Sequence, residues 1–186
     1  MIGFALCGSF CTISQALSQL EGLCAHYPVQ GIVSENVFCT DTRFGTAEEI
    51  LSRMAELTGR EVIHTIVGAE PLGPSRPLEA LVICPCTGNT LAKMAAGITD
   101  SAVTMAAKAH LRSNRPLVIA LASNDALSAN LKNIGAMLTR KNVYFVPMRQ
   151  DDPEKKPHSL VADFSKLPAT LEAALQGKQF QRLFQL

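Results

Sequence analysis

The sequence predicts an α/β fold: a Rossmann-like, three-layer αβα arrangement with a mainly parallel six-stranded sheet. Two observations lead to this prediction. Short apolar runs alternate with longer segments of helical period, and most of these runs lack the polar alternation of a half-exposed strand. Strands that are apolar on both faces are typical of parallel sheets covered by helices on each side. With 186 residues the chain can bury one sizeable core, so we expect a single domain over residues 1–186.

Six apolar runs are the candidate strands. They occupy residues 2–7, 29–33, 62–66, 81–84, 117–121 and 143–146. Three segments between them repeat apolar residues at helical spacing, and each is expected to present one apolar stripe to the sheet. These segments are residues 13–24, 50–57 and 127–138. A last amphipathic helix is predicted at residues 167–175, where Pro168 is tolerated because it falls in the first turn.

Two further segments each allow two interpretations. Residues 91–111 are rich in Ala and Met and leave little room for a solvated face, which indicates either a central helix or an interface between protomers. Residues 148–159 lose all periodicity, and residues 151–157 are charged and punctuated by proline. This stretch is either a solvated loop or a lid over a site. We therefore expect a loop-rich segment at about residues 148–165 before the C-terminal helix.

Composition argues against several classes of function. A formal net charge of +1, two Tyr and no Trp give neither a basic footprint nor a stacking set for nucleic acid. No apolar run is long enough to span a bilayer, and residues 1–6 lack the features of a signal peptide, so a cytoplasmic protein is expected. The six Cys are interpreted as reduced thiols. Cys84 and Cys86 have no matching second pair, so no metal site is predicted.

A small-residue turn follows the first strand and opens a helix. Gly8 allows close approach of the backbone, Phe10 follows in the same turn, and the Ser9 and Thr12 hydroxyls can bind phosphate oxygens beside free N–H groups. The G-x-G-x-x-G dinucleotide fingerprint is absent. A simple turn with an N-cap is the alternative.

Similar polar turns follow other strands, and ligands gather at the carboxyl edge of open parallel sheets. The most informative turn runs from Pro85 to Lys93, where neutral hydroxyl and amide groups suit a phosphate or the edge of a flavin ring. Helix capping by Asn89 or Thr90 is the alternative there. The predicted cofactor-binding residues are Gly8, Ser9, Phe10, Ser34, Asn36, Pro85, Cys86, Thr87, Asn89, Thr90, Lys93, Ser123 and Asn124.

Residues 85–93 resemble the P-A-S/T-A-N-T-x-A-K motif of the homo-oligomeric flavin-containing cysteine decarboxylases, and residues 97–100 continue the match. Asn124 falls where that superfamily has the Asn of its P-x-M-N-x-x-M motif. Within the superfamily, residues 85–93, 124–127, 141–147 and 157–164 are similar to the B-subunit family of dipicolinate synthases. The resemblance spans nearly the whole chain. It implies an FMN-type pocket and a homo-oligomer, with a trimer as the expected building block.

The resemblance also implies a reaction, the oxidation of dihydrodipicolinate to dipicolinate during sporulation. It implies a partner as well, the separate A subunit of dipicolinate synthase, which would carry the NAD or NADP site. A dianionic substrate calls for cations, and Lys93, Arg43, Lys155 and Lys156 are the candidates. The residue that abstracts the proton is left open among Glu35, Glu70, Asp125 and His158.

The chain departs from the decarboxylase pattern in two places. The catalytic His that precedes the motif strand in that superfamily has no counterpart in residues 67–72, and residues 121–124 keep only the Asn of the second motif. His64 lies nearby, inside a candidate strand, and is interpreted as a packed residue. A flavin-dependent decarboxylase acting on another acid and a noncatalytic flavin-binding or scaffolding protein stay as alternatives. Prenyl transfer would need Arg or Lys near residues 8–12, which contain neither.

Overall fold

A single sheet organises the chain in the computed structural model, which describes residues 1–73 and 75–185. Within those residues the sheet has seven strands. They are β1 (Ile2–Leu6), β2 (Val29–Val33), β3 (Ala80–Cys86), β4 (Leu117–Ser123), β5 (Val143–Phe145), β6 (Met148–Arg149) and β7 (Leu160–Ala162). Strands β1 to β5 run parallel, and β6 and β7 are antiparallel additions. The predicted Rossmann-like α/β fold is confirmed, with seven strands in place of six.

The sheet forks at β4. Its order is β2-β1-β3-β4, and the first half of β4 then pairs with β5 through Leu117 to Ile119. The second half of β4 pairs instead with β7, through Ala122 and Ser123, and β6 pairs with β7. The fork therefore places the 148–162 segment next to the carboxyl end of β4.

The predicted strand at residues 62–66 is wrong. Only Ile63 bridges to β2: its N–H donates to the Gly31 carbonyl, and its own carbonyl accepts from the Val33 N–H. Two residues later the Thr65 hydroxyl accepts a hydrogen bond from the Gly68 N–H and begins a short helix. The local cap ends the pairing because a helix cannot continue the ladder.

Eight α-helices flank the sheet within the described residues. They are α1 (Ile13–Cys24), α2 (Glu35–Cys39), α3 (Ala47–Thr58), α4 (Ile66–Ala69), α5 (Gly88–Ala96), α6 (Ala102–Leu111), α7 (Leu131–Leu138) and α8 (Leu167–Leu175). The 13–24 and 167–175 helices are confirmed. The 127–138 helix begins only at residue 131, because residues 124–130 form turns. None of the helices in the described ranges is long and apolar enough to cross a membrane.

Residues 91–111 form two helices rather than one. Gly97 ends α5 in the left-handed conformation, with φ of 76°, and Ser101 begins α6 with a capping box shared with Thr104. Helix α6 buries most of its residues against the sheet, which agrees with the central-helix interpretation.

Two apolar layers enclose the sheet, because alternate residues of each buried strand point to opposite faces. Phe4 and Leu6 of β1 pack with α1, α3 and α8 on one face. Ala5 and Cys7 pack with α5, α6 and α7 on the other. Both faces are covered, which explains why the strands carry continuous apolar runs.

Candidate flavin and substrate pocket

A cavity of about 1100 Å³ opens at the carboxyl ends of β1 and β4. Its walls come from the β1–α1 turn, the start of α1, the end of β4 and the segment from β6 to Ser165. Of the predicted cofactor-binding residues, the cavity lining includes Ser9, Ser123 and Asn124. The cavity lies at the sheet edge that the sequence analysis singled out, and its other wall comes from the C-terminal third of the chain. The remaining predicted residues lie outside the lining: Gly8, Phe10, Ser34, Asn36, Pro85, Cys86, Thr87, Asn89, Thr90 and Lys93.

The β1–α1 turn is fixed by hydrogen bonds that leave one hydroxyl available. Both the N–H and the hydroxyl of Thr12 donate to the Ser9 carbonyl, at 3.0 and 2.9 Å. The Ser9 side chain makes no capping hydrogen bond and faces the cavity. A Cβ at Gly8 would lie 3.3 Å from the Phe10 ring and 3.5 Å from the Asn36 Cβ. The turn thus brings Gly8, Phe10 and Asn36 together.

Ser34, at the end of β2, carries a buried hydroxyl without a partner among the described residues. Its N–H donates to the Leu6 carbonyl at 2.9 Å, which ties this turn to β1. Its Oγ is buried and has no hydrogen-bond partner within residues 1–73 and 75–185, although Ser34 stands at the N-cap of α2. A buried polar atom without a partner is uncommon and calls for an explanation. Ser34 lies outside the lining of the cavity.

The β3–α5 turn is built around two threonines. The Thr87 hydroxyl caps α5 by accepting from the Thr90 N–H at 3.2 Å and donates to the Thr90 Oγ1 at 3.1 Å. The Thr90 hydroxyl in turn donates to the Cys7 sulfur at 3.3 Å. The cap is therefore Thr87, which corrects the suggestion that Asn89 or Thr90 serves as the cap. Asn89 is exposed, and its side chain has no hydrogen bond to any residue that the structure describes.

A hydrogen-bonded carboxylate supports the end of β4. Asp125 accepts from the Ser123 hydroxyl at 2.5 Å and from the Asn130 amide at 2.8 Å. These hydrogen bonds, the one from Ser123 first, hold the pKa of Asp125 below its usual range. The Ser123 hydroxyl therefore already donates its hydrogen bond to Asp125, while Asn124 is exposed to the cavity.

Lys93 lies one turn into α5, and its ammonium pairs with Asp100 at 2.8 Å. The pair holds the pKa of Asp100 below its usual range, chiefly through the hydrogen bond from Lys93. The charge of Lys93 is therefore balanced by Asp100, and this ion pair lies on the exposed side of the α5–α6 connection.

The thiols behind the pocket are buried and free. Burial is the main cause that raises the pKa of Cys7 to about 11 and the pKa values of Cys84 and Cys86 above their usual range. All six cysteines are free, as the sequence predicts. The buried thiols pack as small apolar groups, while Cys11 faces the cavity.

Two cations line the cavity, Arg149 and Lys156. Arg149 was not predicted from the sequence. Lys155 lies outside the lining, and Arg43 stacks over the Phe44 ring with its guanidinium carbon 4.8 Å from the centroid. Arg149 lies on a two-residue strand. No periodicity marks a strand that short, so only the sheet pairing finds it.

The 148–159 segment combines parts of both interpretations. It begins with β6, and its loop is held by its own hydrogen bonds: the Gln150 amide donates to the Pro157 carbonyl at 2.9 Å, and Lys156 pairs with Asp151 at 2.9 Å. The same loop supplies Asp151, Pro153 and Lys156 to the cavity wall. The loop is therefore exposed to solvent on one side and forms part of the cavity wall on the other.

The proposed proton-abstracting residues do not converge on the cavity. Glu35, Glu70, Asp125 and His158 are all absent from its lining, in which the described carboxylates are Asp151 and Asp163. His64 stacks on Phe38 with ring centroids 3.9 Å apart, which agrees with a packed role outside a regular strand.

A second cavity, of about 480 Å³, lies near the C-terminal ends of α5, α6 and α7. Lys108, Arg112, Arg140 and Lys141 line it. Arg140 donates to the Met94 carbonyl at 3.2 Å. Arg140 thus contacts a carbonyl in the last turn of α5, where a cation also balances the helix dipole.

A parallel sheet with polar turns and a large cavity at its carboxyl edge is typical of α/β proteins that bind a ligand there. Comparison with known proteins identifies the family. Residues 1–166 match the family described as Flavoprotein, and the chain belongs to that family. Within it, the chain is 48% identical over 181 residues to the B subunit of dipicolinate synthase from Bacillus subtilis, covering 97% of this chain and 90% of that protein.

Solved structures give the same result. The crystal structure of the dipicolinate synthase B subunit from Bacillus halodurans superimposes with a TM-score of 0.91 at 43% identity, covering 100% of this chain and 95% of that one. A dodecameric FMN-dependent UbiX-like decarboxylase from Escherichia coli has a TM-score of 0.62 at 24% identity, covering 79% and 80% of the two chains. The second likeness supports the fold alone.

Proposed function

We propose that this chain is the B subunit of a dipicolinate synthase and takes part in oxidising dihydrodipicolinate to dipicolinate during sporulation. The observation that carries the proposal is the cavity at the carboxyl ends of β1 and β4, in a chain so similar to known B subunits. Its volume of about 1100 Å³ has room for a flavin ring and a small dicarboxylate together. We place the protein in the cytoplasm.

The residues at the sheet edge fit an FMN-type cofactor. The Ser9 hydroxyl, which makes no capping hydrogen bond, and the N–H groups that open α1 suit its phosphate, and the Ser34 hydroxyl, which has no partner among the described residues, is proposed to join them. Asn124 lines the cavity, whereas Phe10, Asn36 and Asn89 lie outside its lining and are proposed to border the rest of the molecule. The turn behind it is formed by Pro85, Cys86, Thr87 and Thr90. When bound, a flavin supplies a site that accepts a hydride.

The reaction removes a hydride and a proton from a dihydropyridine ring and makes that ring aromatic. The chain therefore has to bind and orient the substrate so that its C–H bond points at a hydride acceptor. That acceptor is a bound flavin, or the NAD or NADP of the A subunit, and the proton passes to solvent. Within residues 1–73 and 75–185, neither His nor Glu lines the cavity, which suits a reaction driven by the gain of aromaticity.

We further propose that the chain forms a homo-oligomer and acts together with the A subunit of the synthase. Ile66 and Val67 of α4 are 40% and 79% exposed, and large apolar side chains with that exposure are suited to a contact between copies. A dodecamer is named for the Escherichia coli relative. The 91–111 segment contributes mainly to the protomer core.

The decarboxylase alternative is weaker, because the segment before β3 that carries the catalytic His in that superfamily forms α4 and the turn after it, with no His in residues 67–72. One observation favours prenyl transfer: Arg149 and Lys156 face the same cavity as Ser9. The similarity over nearly the full chain favours the dipicolinate synthase function over both.

The first test is a titration of the purified protein with FMN, followed by absorbance, with and without dipicolinate. We expect saturable binding and a change in the flavin bands when dipicolinate is added. Ser34→Ala should weaken FMN binding by roughly 10-fold, as expected for a lost hydrogen bond to a charged group. It should leave the free energy of unfolding nearly unchanged, because the hydroxyl has no partner among the described residues.

Ser52→Ala is the control, since Ser52 is an exposed residue of α3 far along the chain from the turns. It should not alter FMN binding. Equal FMN affinity in the wild type and Ser34→Ala would remove Ser34 from the site. Failure of the wild type to bind either FMN or dipicolinate would contradict the proposed function.

A further inference from the structure

We propose that Arg149 binds a carboxylate of the substrate and sets the preference of the pocket for a dicarboxylate. This inference rests on the proposed function and deepens it. The residue was not recognisable in the sequence, because it acquires its position only through the forked sheet. Lys156 supplies the second cation of the same wall.

Strand alternation directs Arg149 into the cavity. Met148, its neighbour on β6, is fully buried on the α5–α7 face of the sheet. Arg149 points the other way and pairs with Val161 of β7, which pairs with Ala122 of β4. Paired residues of antiparallel strands point to the same side, and all three line the cavity. The guanidinium therefore extends from a row of three strands, a more rigid support than a loop.

The charge of Arg149 is available to a ligand. Within residues 1–73 and 75–185, no ion pair or side-chain hydrogen bond engages its guanidinium. The two carboxylates of the described lining are both engaged elsewhere: Asp151 pairs with Lys156, and Asp163 accepts from the Ser165 N–H and hydroxyl. Among the described residues, Arg149 therefore has no ion pair to break before an anion binds.

The planar guanidinium matches a carboxylate with two parallel hydrogen bonds, which gives direction as well as charge. Dipicolinate and its dihydro precursor carry two carboxylates on either side of the ring nitrogen. With one carboxylate fixed by Arg149, the ring is oriented. Lys156 lines the same cavity and is the candidate for the second carboxylate, which would have to compete with Asp151 for it. A monocarboxylate would lose one of these contacts.

The test compares the affinities of dipicolinate and of picolinate, the monocarboxylate, by calorimetry for the full chain. Arg149→Ala should weaken dipicolinate binding roughly 10- to 100-fold, the loss expected for a hydrogen-bonded charge contact. The ratio of the two affinities should fall with it. Arg149→Lys should recover part of the affinity and less of the discrimination, because an ammonium binds as a point charge.

Lys155→Ala is the matched control, since Lys155 adjoins Lys156 in the same loop and lies outside the cavity lining. It should bind like the wild type. The proposal is overturned if Arg149→Ala binds dipicolinate as tightly as Lys155→Ala does, or if it loses FMN affinity while keeping dipicolinate affinity. If the wild type itself binds no dipicolinate, the proposed function fails first, and the two failures are distinguishable.

Discussion

Gly88 shows how a single missing side chain shapes the pocket edge. It opens α5 directly beside the carboxylate network at the end of β4. A Cβ at this position would lie 2.6 Å from the Asn130 amide nitrogen and 2.9 Å from Asp125 Oδ1, and would also overlap the Ser123 hydroxyl. Real Cβ atoms do not approach that closely, so these three side-chain ends, and the hydrogen bonds between them, would have to shift to admit a side chain at residue 88.

Gly88→Ala should therefore destabilise the protein by about 1–2 kcal/mol, since it disturbs the partly buried hydrogen bonds of Asp125 with Ser123 and Asn130. Gly22→Ala is the control, because Gly22 lies within α1 with open space around it, and it should stabilise by about 0.5–1 kcal/mol. The measurement is urea unfolding. Equal stability of the two variants would mean that the turns can separate without cost.

The sequence places several of the predicted site residues at the ends of strands. Ser9 and Asn124 follow long apolar runs, and both line the cavity. Arg149 was not predicted and Lys156 was one of several candidate cations, because their placement depends on pairing between β4 and β7, which are separated by more than thirty residues. The role of Ser34 stays a prediction: it lies outside the cavity lining, and only the structure reveals that its hydroxyl has no partner within the described ranges.

At the scale of elements, the start of α5 contains one residue that caps the helix and another that is exposed to solvent. Thr87 caps the helix, whereas Asn89, two residues later, is exposed. Both belong to the same motif, and the sequence alone assigned capping to Asn89 or Thr90. The geometry divides the motif into a part that begins the helix and a part that faces outward.

Thr87→Ala should cost about 1 kcal/mol of stability, as for other lost N-caps. Asn89→Ala should stay within about 0.5 kcal/mol of the wild type and weaken FMN binding instead. Thermal unfolding and FMN titration of the two variants form the comparison. A destabilised Asn89→Ala with unchanged FMN affinity would assign Asn89 to the fold.

Elements with a long period were predictable, and short ones were not. Helices α1 and α8 match the predicted ranges because their apolar stripes extend over several turns. The apolar run at residues 62–66 resembles a strand, yet the Thr65 cap converts its end into a helix. Strand β6 has two residues, too few for any periodicity, and its pairing is set by distant partners.

At the scale of the whole molecule, the way in which stability changes with pH just below 6.5 should be set by the protonation of one buried imidazole. His110 lies fully buried between α6 and β4, with Nε2 2.9 Å from the Pro116 carbonyl. Burial, with a smaller effect from Arg115, lowers the pKa of His110 below its ordinary 6.5. The folded protein therefore favours the neutral ring, while the unfolded chain takes up a proton.

Stability should be fully present above pH 6.5 and decrease as the pH falls from there through the lowered pKa of His110, since the unfolded state binds more protons in that window. His110→Gln should flatten the dependence of the urea midpoint on pH across this range. His26→Gln, an exposed position, should keep the slope of the wild type. An unchanged slope in His110→Gln would contradict the assignment.

The fork at β4 has a consequence for how such a protein can change its substrate. One branch consists of the parallel strands β1 to β5, and the other is the contiguous stretch of residues 148–162, which joins the sheet through β4. Under the proposed function, exchanging that short stretch for another sequence should change the acid that the pocket prefers and leave the serine turn after β1 in place. The measurement is the affinity of such a chimera for FMN and for dipicolinate.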